Sequence, residues 1–315
     1  MVEEAKQKTS EILVFANITH DGVDVDGWQR LSRRFVDAGA DVIELNMCCP
    51  NMSYNVSITG ETSTEKTGAS LGTDTAGIAN IVTQVVDSVS VPVVVKLTPE
   101  DGRIAETASA AIEAGADAVG STANRLGKPD IDIFRPEQSI YRLQDQITLG
   151  CLSGPWIRPL ALRDTFEIRN SLGPSPFVFA SGGISDLQSS VQQLMAGADA
   201  LWVCTEVMLR GFTWLPKLLD DLRDYMKEMG FSKLLDIRDS LKKIISTAPT
   251  LTIRDGFASI DQEKCKACGV CRELGHCLAI TQENETPAFV DRMACTGCST
   301  CVDLCSYQAI QMVEA

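Results

Sequence analysis

The residues best equipped for chemistry are cysteines. Eight of the 12 fall between Cys265 and Cys305. The run Cys295-x2-Cys298-x2-Cys301-x3-Cys305 has the spacing that wraps three thiolates around one iron–sulfur cubane and sends the fourth to another. Cys265-x2-Cys268-x2-Cys271 repeats the first three elements. On this pattern Cys265, Cys268, Cys271 and Cys305 hold one [4Fe–4S] cluster, while Cys295, Cys298 and Cys301 hold a second. The usual place of the second cluster's fourth ligand is occupied by Gly275, with Cys277 just beyond it. Either Cys277 serves through a changed turn, or that cluster is irregular. Two zinc sites are the alternative, but a zinc ribbon needs only two CxxC pairs. The doubled triple run therefore favours iron–sulfur, whose chemistry is single-electron transfer.

A second group of candidates stands upstream. Ile43-Glu44-Leu45-Asn46-Met47-Cys48-Cys49-Pro50-Asn51 places an amide and two thiols at the end of a strand. A thiol there can serve as general acid or base, or as nucleophile; the bland reading, strongest for Cys48, is packing. Lys96 interrupts the apolar run Val93-Val94-Val95. A lysine inside a strand must be satisfied by an anion, such as a reduced flavin, or must snorkel to water. Ser181-Gly182-Gly183 and Cys204-Thr205 each close a β-branched or apolar run. Glycine lets backbone N–H groups approach a phosphate closely, although a Gly-Gly pair can equally be a plain turn.

These residues need a scaffold that collects strand ends. The phrase Ala-Gly-Ala-Asp occurs at residues 38–41, 114–117 and 196–199, each time after a helical stretch and before an apolar run. Helices that end on glycine and lead into buried strands imply a parallel sheet. A (β/α) TIM-type barrel is the expected fold, with an open doubly wound sheet as alternative. Strands are expected near 11–18, 42–48, 91–97, 117–122, 176–181 and 200–204. A full barrel has eight, so the barrel reads as N-terminally shortened. Residues 1–215 form the expected barrel, 216–254 a helical linker with a hinge near Thr247–Thr250, and 255–315 a small α+β ferredoxin-like domain. Long polar connections at 49–74 and 123–153 follow strand ends, where barrels keep their chemistry.

Composition narrows the partners. The 315-residue chain carries a net charge of −14, which opposes binding to a phosphate backbone. The sequence has no apolar run of membrane-spanning length and no basic-then-apolar leader, so a cytoplasmic setting with reduced thiols is expected.

Together these motifs, with Val95-Lys96-Leu97-Thr98-Pro99, Ser153-Gly154-Pro155-Trp156-Ile157-Arg158-Pro159-Leu160, Ser181-Gly182-Gly183-Ile184 and Val203-Cys204-Thr205, resemble the flavin-dependent dihydroorotate and dihydropyrimidine dehydrogenase superfamily. With the cysteine-rich tail, the chain most resembles the catalytic subunits of bacterial NAD-linked dihydropyrimidine dehydrogenases. The resemblance implies FMN held by Lys96, Gly154, Ser181, Gly182, Gly183, Cys204 and Thr205. It implies substrate contacts from Asn46, Met47, Cys48 and Asn124, and Cys49 as catalytic acid on a lid running to Asp74. Cys48 stands where the superfamily has serine, and Ala123-Asn124 where it has Asn-Thr. The implied reaction reduces or oxidises a C=C/CH–CH bond of a pyrimidine-like ring, as between uracil or thymine and their 5,6-dihydro forms. The resemblance also implies electrons that pass through the clusters from a partner subunit binding FAD and NAD(P), within an oligomer. A dihydroorotate-type enzyme and a non-catalytic electron carrier are the alternatives.

Overall fold

In the computed structural model, which describes residues 2–8, 11–49, 67–121, 124–139, 150–241 and 254–314, the Ala-Gly-Ala-Asp phrases are strand clamps. Gly39, Gly115 and Gly197 take φ of +91°, +103° and +124°, which glycine adopts without steric penalty. Asp41, Asp117 and Asp199 then donate their backbone N–H to the carbonyls of Val14, Val93 and Val178 at 2.9, 2.8 and 2.7 Å. Their carboxylates accept the backbone N–H of the same three valines at 2.7, 2.8 and 2.9 Å. Each phrase thus locks the start of one strand to the start of its neighbour.

The elements begin α1 (Val2–Lys8), β1 (Phe15–Ile18), α2 (Val25–Asp37), β2 (Val42–Met47), α3 (Gly68–Gly72), α4 (Thr75–Val86), β3 (Val93–Leu97), α5 (Ile104–Glu113) and β4 (Ala118–Ser121). A hairpin of β5 (Arg125–Gly127) and β6 (Gly150–Leu152) follows. Then come α6 (Arg158–Leu172), β7 (Phe177–Ser181), α7 (Leu187–Met195), β8 (Ala200–Trp202), α8 (Thr205–Arg210), α9 (Trp214–Met229) and α10 (Leu234–Arg238). Aspartates cap three of the helices: Asp24, Asp74 and Asp186 accept backbone N–H bonds from Gly27, Gly77 and Ser189.

Six parallel strands form one sheet in the order β1-β2-β3-β4-β7-β8, at the six places expected. Side chains alternate across it. Ile43, Leu45, Met47, Val93, Val95, Leu97, Val119 and Val178 pack outward with Trp28, Ile78, Ile81, Val85, Ile104 and Ile168 of the helices. Val42, Val94, Ala118 and Phe179 face inward with Ala200 and Trp202. Helices cover the outer face, as in a barrel and unlike a doubly wound sheet. The sheet curls until its edges meet through side chains: Phe15 of β1 lies edge-on to Trp202 of β8, with centroids 5.6 Å apart at 90°. Among the described residues β1 and β8 share no backbone pairing, so the architecture is a parallel half-barrel of TIM type, open at that seam.

Residues 1–244 and 245–315 form two compact units. This moves the expected boundary at 215. The segment read as a linker packs on the barrel instead: Leu222, Tyr225, Met226, Phe231 and Ile237 cluster with Val191 and Leu194 of α7. Hydrophobic spacing on α9 overrides its charge. The expected hinge at 247–250 lies outside the described residues.

The second unit contains β9 (Gly256–Ile260), β10 (Ile280–Thr281), β11 (Phe289–Val290), α11 (Thr300–Leu304) and β12 (Ile310–Glu314). β9 pairs antiparallel with β12, and β10 with β11. Its core is small, with Ala258, Ile280, Ala288, Cys301 and Ile310 buried and most other cysteines packed around them. No helix among the described residues is long and apolar enough to cross a membrane.

Candidate functional site

Strand alternation decides what the half-barrel interior holds. On β2, Glu44 and Asn46 fall on the same face as Val42, and Asn46 is in register with Lys96 of β3 and through it with Gly120 of β4. Gly120 is small because a Cβ there would meet the Phe179 carbonyl oxygen at 2.2 Å. Beyond these strand ends lies an open cleft of about 650 Å³ lined by Lys96, Asn124, Gly154, Ser181, Gly182, Gly183, Cys204 and Thr205. All seven residues expected to hold a flavin, and Asn124, therefore share one cleft. Trp202 and Glu206 also line it.

The cleft carries a cation and glycine turns that expose backbone N–H groups. Among the described residues Lys96 has no hydrogen bond or ion pair of its own. Gly154, Gly182 and Gly183 all have positive φ (+98°, +103° and +72°). A Cβ on Gly183 would meet the Arg158 backbone within 2.9 Å, so this turn requires glycine. Among the described residues the buried Arg158 Nε has no partner, while its Nη2 donates to Ser185 Oγ at 3.2 Å. Glu206 is the one buried acid of the lining, and Arg210 neutralises it at 2.7 Å. A cation, hydroxyls and exposed glycine backbone suit an elongated ligand with an anionic end.

Cys49 is half-buried just past β2. Its thiol is lowered from 9.0 to about 6 by hydrogen bonds from Cys48 and Asn46 and by the charge of Lys96, against the opposing effect of desolvation. Cys48 is buried; its N–H reaches Asn46 Oδ1 at 3.3 Å and its Sγ lies 3.0 Å from the same oxygen. Met47 points the other way. Its side chain lies in the outer core and its carbonyl packs on Gly72, leaving backbone alone to face the site. Most of the expected lid, residues 50–66, lies outside the described residues, as does Ala123.

Four residues escaped the sequence reading. Asn17, Glu44 and Trp202 form a polar cluster inside the half-barrel, with Trp202 Nε1 donating to Glu44 Oε1 at 3.0 Å and Asn17 Nδ2 donating to Glu44 Oε2. A charged residue at an inward position of a strand was the available signal. The fourth, Cys151 on β6, interacts with both Cys49 and Asn124, and burial pushes its thiol up. Its hairpin is held by Arg125, which donates to both oxygens of fully buried Asp164 at 2.9 and 2.8 Å.

The tail cysteines divide into two sets. Cys265, Cys268, Cys271 and Cys305 line one pocket. Cys277, Cys295, Cys298 and Cys301 line a second, with His276 beside them. The two loops are built alike: residues on both sides of the middle cysteine are left-handed, Ala267 and Gly269 around Cys268, Gly297 and Ser299 around Cys298. Ala258 N–H donates to Cys295 Sγ at 3.4 Å, and Ala309 N–H to Cys305 Sγ at 3.3 Å. Besides burial, the neighbouring thiols push Cys301 up, Cys277 first among them. Among the described residues no three His, Cys, Asp or Glu side chains form a group able to hold a single metal ion. The thiols ring cavities; they do not converge on a point.

A curled parallel sheet with helices outside and polar groups at its C-terminal strand ends defines a barrel protein of the (β/α) class, with its site where such barrels keep theirs. Residues 1–226 match the family model described as dihydroorotate dehydrogenase, and the chain belongs to that family. It is 31% identical over 230 residues to the catalytic subunit of dihydroorotate dehydrogenase B (NAD(+)) from Petrotoga mobilis, covering 73% of this chain and 69% of the relative. The corresponding subunit of Pyrococcus abyssi is 33% identical over 63% of this chain and 60% of the relative. That of Methanothermobacter thermautotrophicus is 36% identical over the same shares, 63% and 60%. The chain thus spans about 60% to 69% of the length of these relatives, and its cysteine-rich tail lies beyond the family match.

Proposed function

We propose that this chain is a flavin- and iron–sulfur-dependent oxidoreductase acting on a C=C/CH–CH bond of a pyrimidine-like ring, with Cys49 as its general acid/base. The observation that carries this reading is a lowered thiol at one strand end and, at the next, a lysine with no ion pair among the described residues, which lines a cleft together with three positive-φ glycines. Lys96, Gly154, Ser181, Gly182, Gly183, Cys204 and Thr205 would hold FMN, which when bound supplies two-electron exchange with a ring carbon. Asn46 and Asn124 orient the planar substrate, assisted by the backbone of Met47 and Cys48. Cys49 delivers or removes the proton at the neighbouring carbon, and its low pKa makes both states available near neutrality.

The two cysteine sets would hold [4Fe–4S] clusters, Cys265, Cys268, Cys271 and Cys305 one, Cys277, Cys295, Cys298 and Cys301 the other. Matching loop conformations, N–H···S bonds and the spread of the thiols support clusters over zinc. Single-electron centres connect the barrel's chemistry to a partner subunit carrying FAD and NAD(P), in a cytoplasmic oligomer. The ferredoxin-like tail, absent from the family match, is what favours dihydropyrimidine chemistry; the relatives favour dihydroorotate. Anaerobically reconstituted protein is tested with uracil, thymine and dihydroorotate. Turnover of dihydroorotate alone would refute the dihydropyrimidine reading. Cluster absorbance without flavin uptake, and indifference to Cys49→Ala, would leave an electron carrier.

A further inference from the structure

The polar cluster inside the half-barrel has a parity. It begins at an obligate donor, Trp202 Nε1–H, which reaches Glu44 Oε1 at 3.0 Å. The other Glu44 oxygen accepts from Asn17 Nδ2. Asn17 Oδ1 accepts from Asn46 Nδ2 at 3.0 Å. Asn46 Oδ1 then accepts from a second obligate donor, the Cys48 backbone N–H at 3.3 Å. An amide passes a hydrogen bond along with one donor side and one acceptor side. A row of amides strung between two obligate donors therefore always ends in a donor–donor clash, unless one member only accepts. Glu44, 4% exposed among apolar side chains, is that member.

We infer that Glu44 is a positioning residue: as the single acceptor-only group of this row, it dictates which side of the Asn46 amide meets the thiols of Cys48 and Cys49. The inference rests on the proposed function only in taking Cys49 as the proton-carrying thiol. Glu44→Gln keeps shape and volume but restores one donor too many. The misfit falls at one end of the row or turns the Asn46 amide over, so that an acceptor replaces the donor facing Cys49. Glu44→Gln combined with Asn17→Asp moves the acceptor-only group one place along. Trp202 then donates to the new amide at position 44. That amide and Asn46 both donate to the new carboxylate at position 17, so every donor is matched again at unchanged net charge.

The test uses the full chain, without flavin or substrate, and follows iodoacetamide alkylation at residue 49 by peptide mass spectrometry across pH. Charges and titratable groups acting on Cys49 are Lys96 of β3 and the thiols of Cys48 and Cys151; all are retained in both variants. Loss of one hydrogen bond to a charged sulfur raises the alkylation midpoint in Glu44→Gln by about one pH unit or more. The double variant returns it to the parent value. An unmoved midpoint in Glu44→Gln, or a double variant displaced as far as the single, overturns the inference. If Glu44→Gln yields no folded protein, folded yield becomes the readout: recovery in the double variant supports the parity argument, and failure to recover refutes it. Failure of pyrimidine turnover would leave this result untouched, because the readout needs no substrate.

Discussion

Cys49 should titrate near 6, and the way its thiolate is stabilised predicts the order in which substitutions undo it. Against an ordinary value of 9.0, a thiol lowered to about 6 holds about 500 times more thiolate at pH 6. Reactivity does not rise in proportion. A less basic thiolate is a weaker nucleophile, with a Brønsted slope of about 0.4–0.5, which cuts the advantage at pH 6 to roughly 15–30-fold. The midpoint of the alkylation profile is therefore the safer readout than any single rate. Cys48 is the strongest contributor, Asn46 weaker and Lys96 weakest, so midpoints should rise in the order Lys96→Met, Asn46→Ala, Cys48→Ala. The sign for stability follows by linkage. A folded value below the unfolded one stabilises the fold above pH 9 and loses that stabilisation as pH falls from about 9 towards 6. For catalysis, a general acid is exhausted above its own pKa, so ring reduction should decline as pH rises through about 6 while ring oxidation gains. A midpoint near 9 in the parent, or Lys96→Met exceeding Cys48→Ala, would refute the reasoning.

Three further outcomes are expected. Asp164→Ala removes a fully buried carboxylate on which Ser121, Arg125 and Arg163 converge, at a cost of about 3–5 kcal/mol, and should lower the melting temperature of the barrel unit by roughly 10 °C in calorimetry. Trp202→Phe retains an aromatic ring for the stack on Phe179 (4.3 Å between centroids) but removes the N–H on Glu44, so urea melts should show a loss of about 1.5–3 kcal/mol. Cys277→Ser should reduce bound iron by about half, with the remaining spectrum that of one [4Fe–4S] cluster. Unchanged iron would assign the fourth position elsewhere.

What could be read from the chain was local. Each of the six barrel strands showed as a β-branched or apolar run, three of them after an Ala-Gly helix stop, because both faces of the sheet are buried and leave little polar interruption. The cysteine tail was equally plain, since its spacing is short-range. Long-range pairing was not legible. The Asp of Ala-Gly-Ala-Asp was visible three times, yet its partner valine lies on another strand and no spacing announces it. Glu44 and Trp202 are 158 positions apart, and only curvature brings them together. The β5–β6 hairpin was missed because strands of three residues, half-exposed, carry no periodicity. The linker was misread because helix charge was weighed above its apolar stripe.

The half-barrel holds two inward charges on adjoining strands, and their contrast separates scaffold from site. Glu44 is satisfied from within: two donors meet its two oxygens, and apolar side chains close over it. A buried carboxylate matched this way offers nothing to a ligand directly and acts on the site only through the row of amides it orients. Lys96 sits one register step further toward the strand ends, since its Cα partner on β2 is Asn46. Among the described residues it meets no carboxylate, and it opens on the cleft. A fold that needed a cation there for stability would have supplied a partner, as it did for Arg125 with Asp164 and for Arg169 with Asp199. The sheet thus engages its internal acceptors below Asn46 and leaves its donors open above. That polarity along the strand direction, acceptor within and donors at the mouth, suits an electron-rich ligand, and the charge of Lys96 that opens there also acts on Cys49.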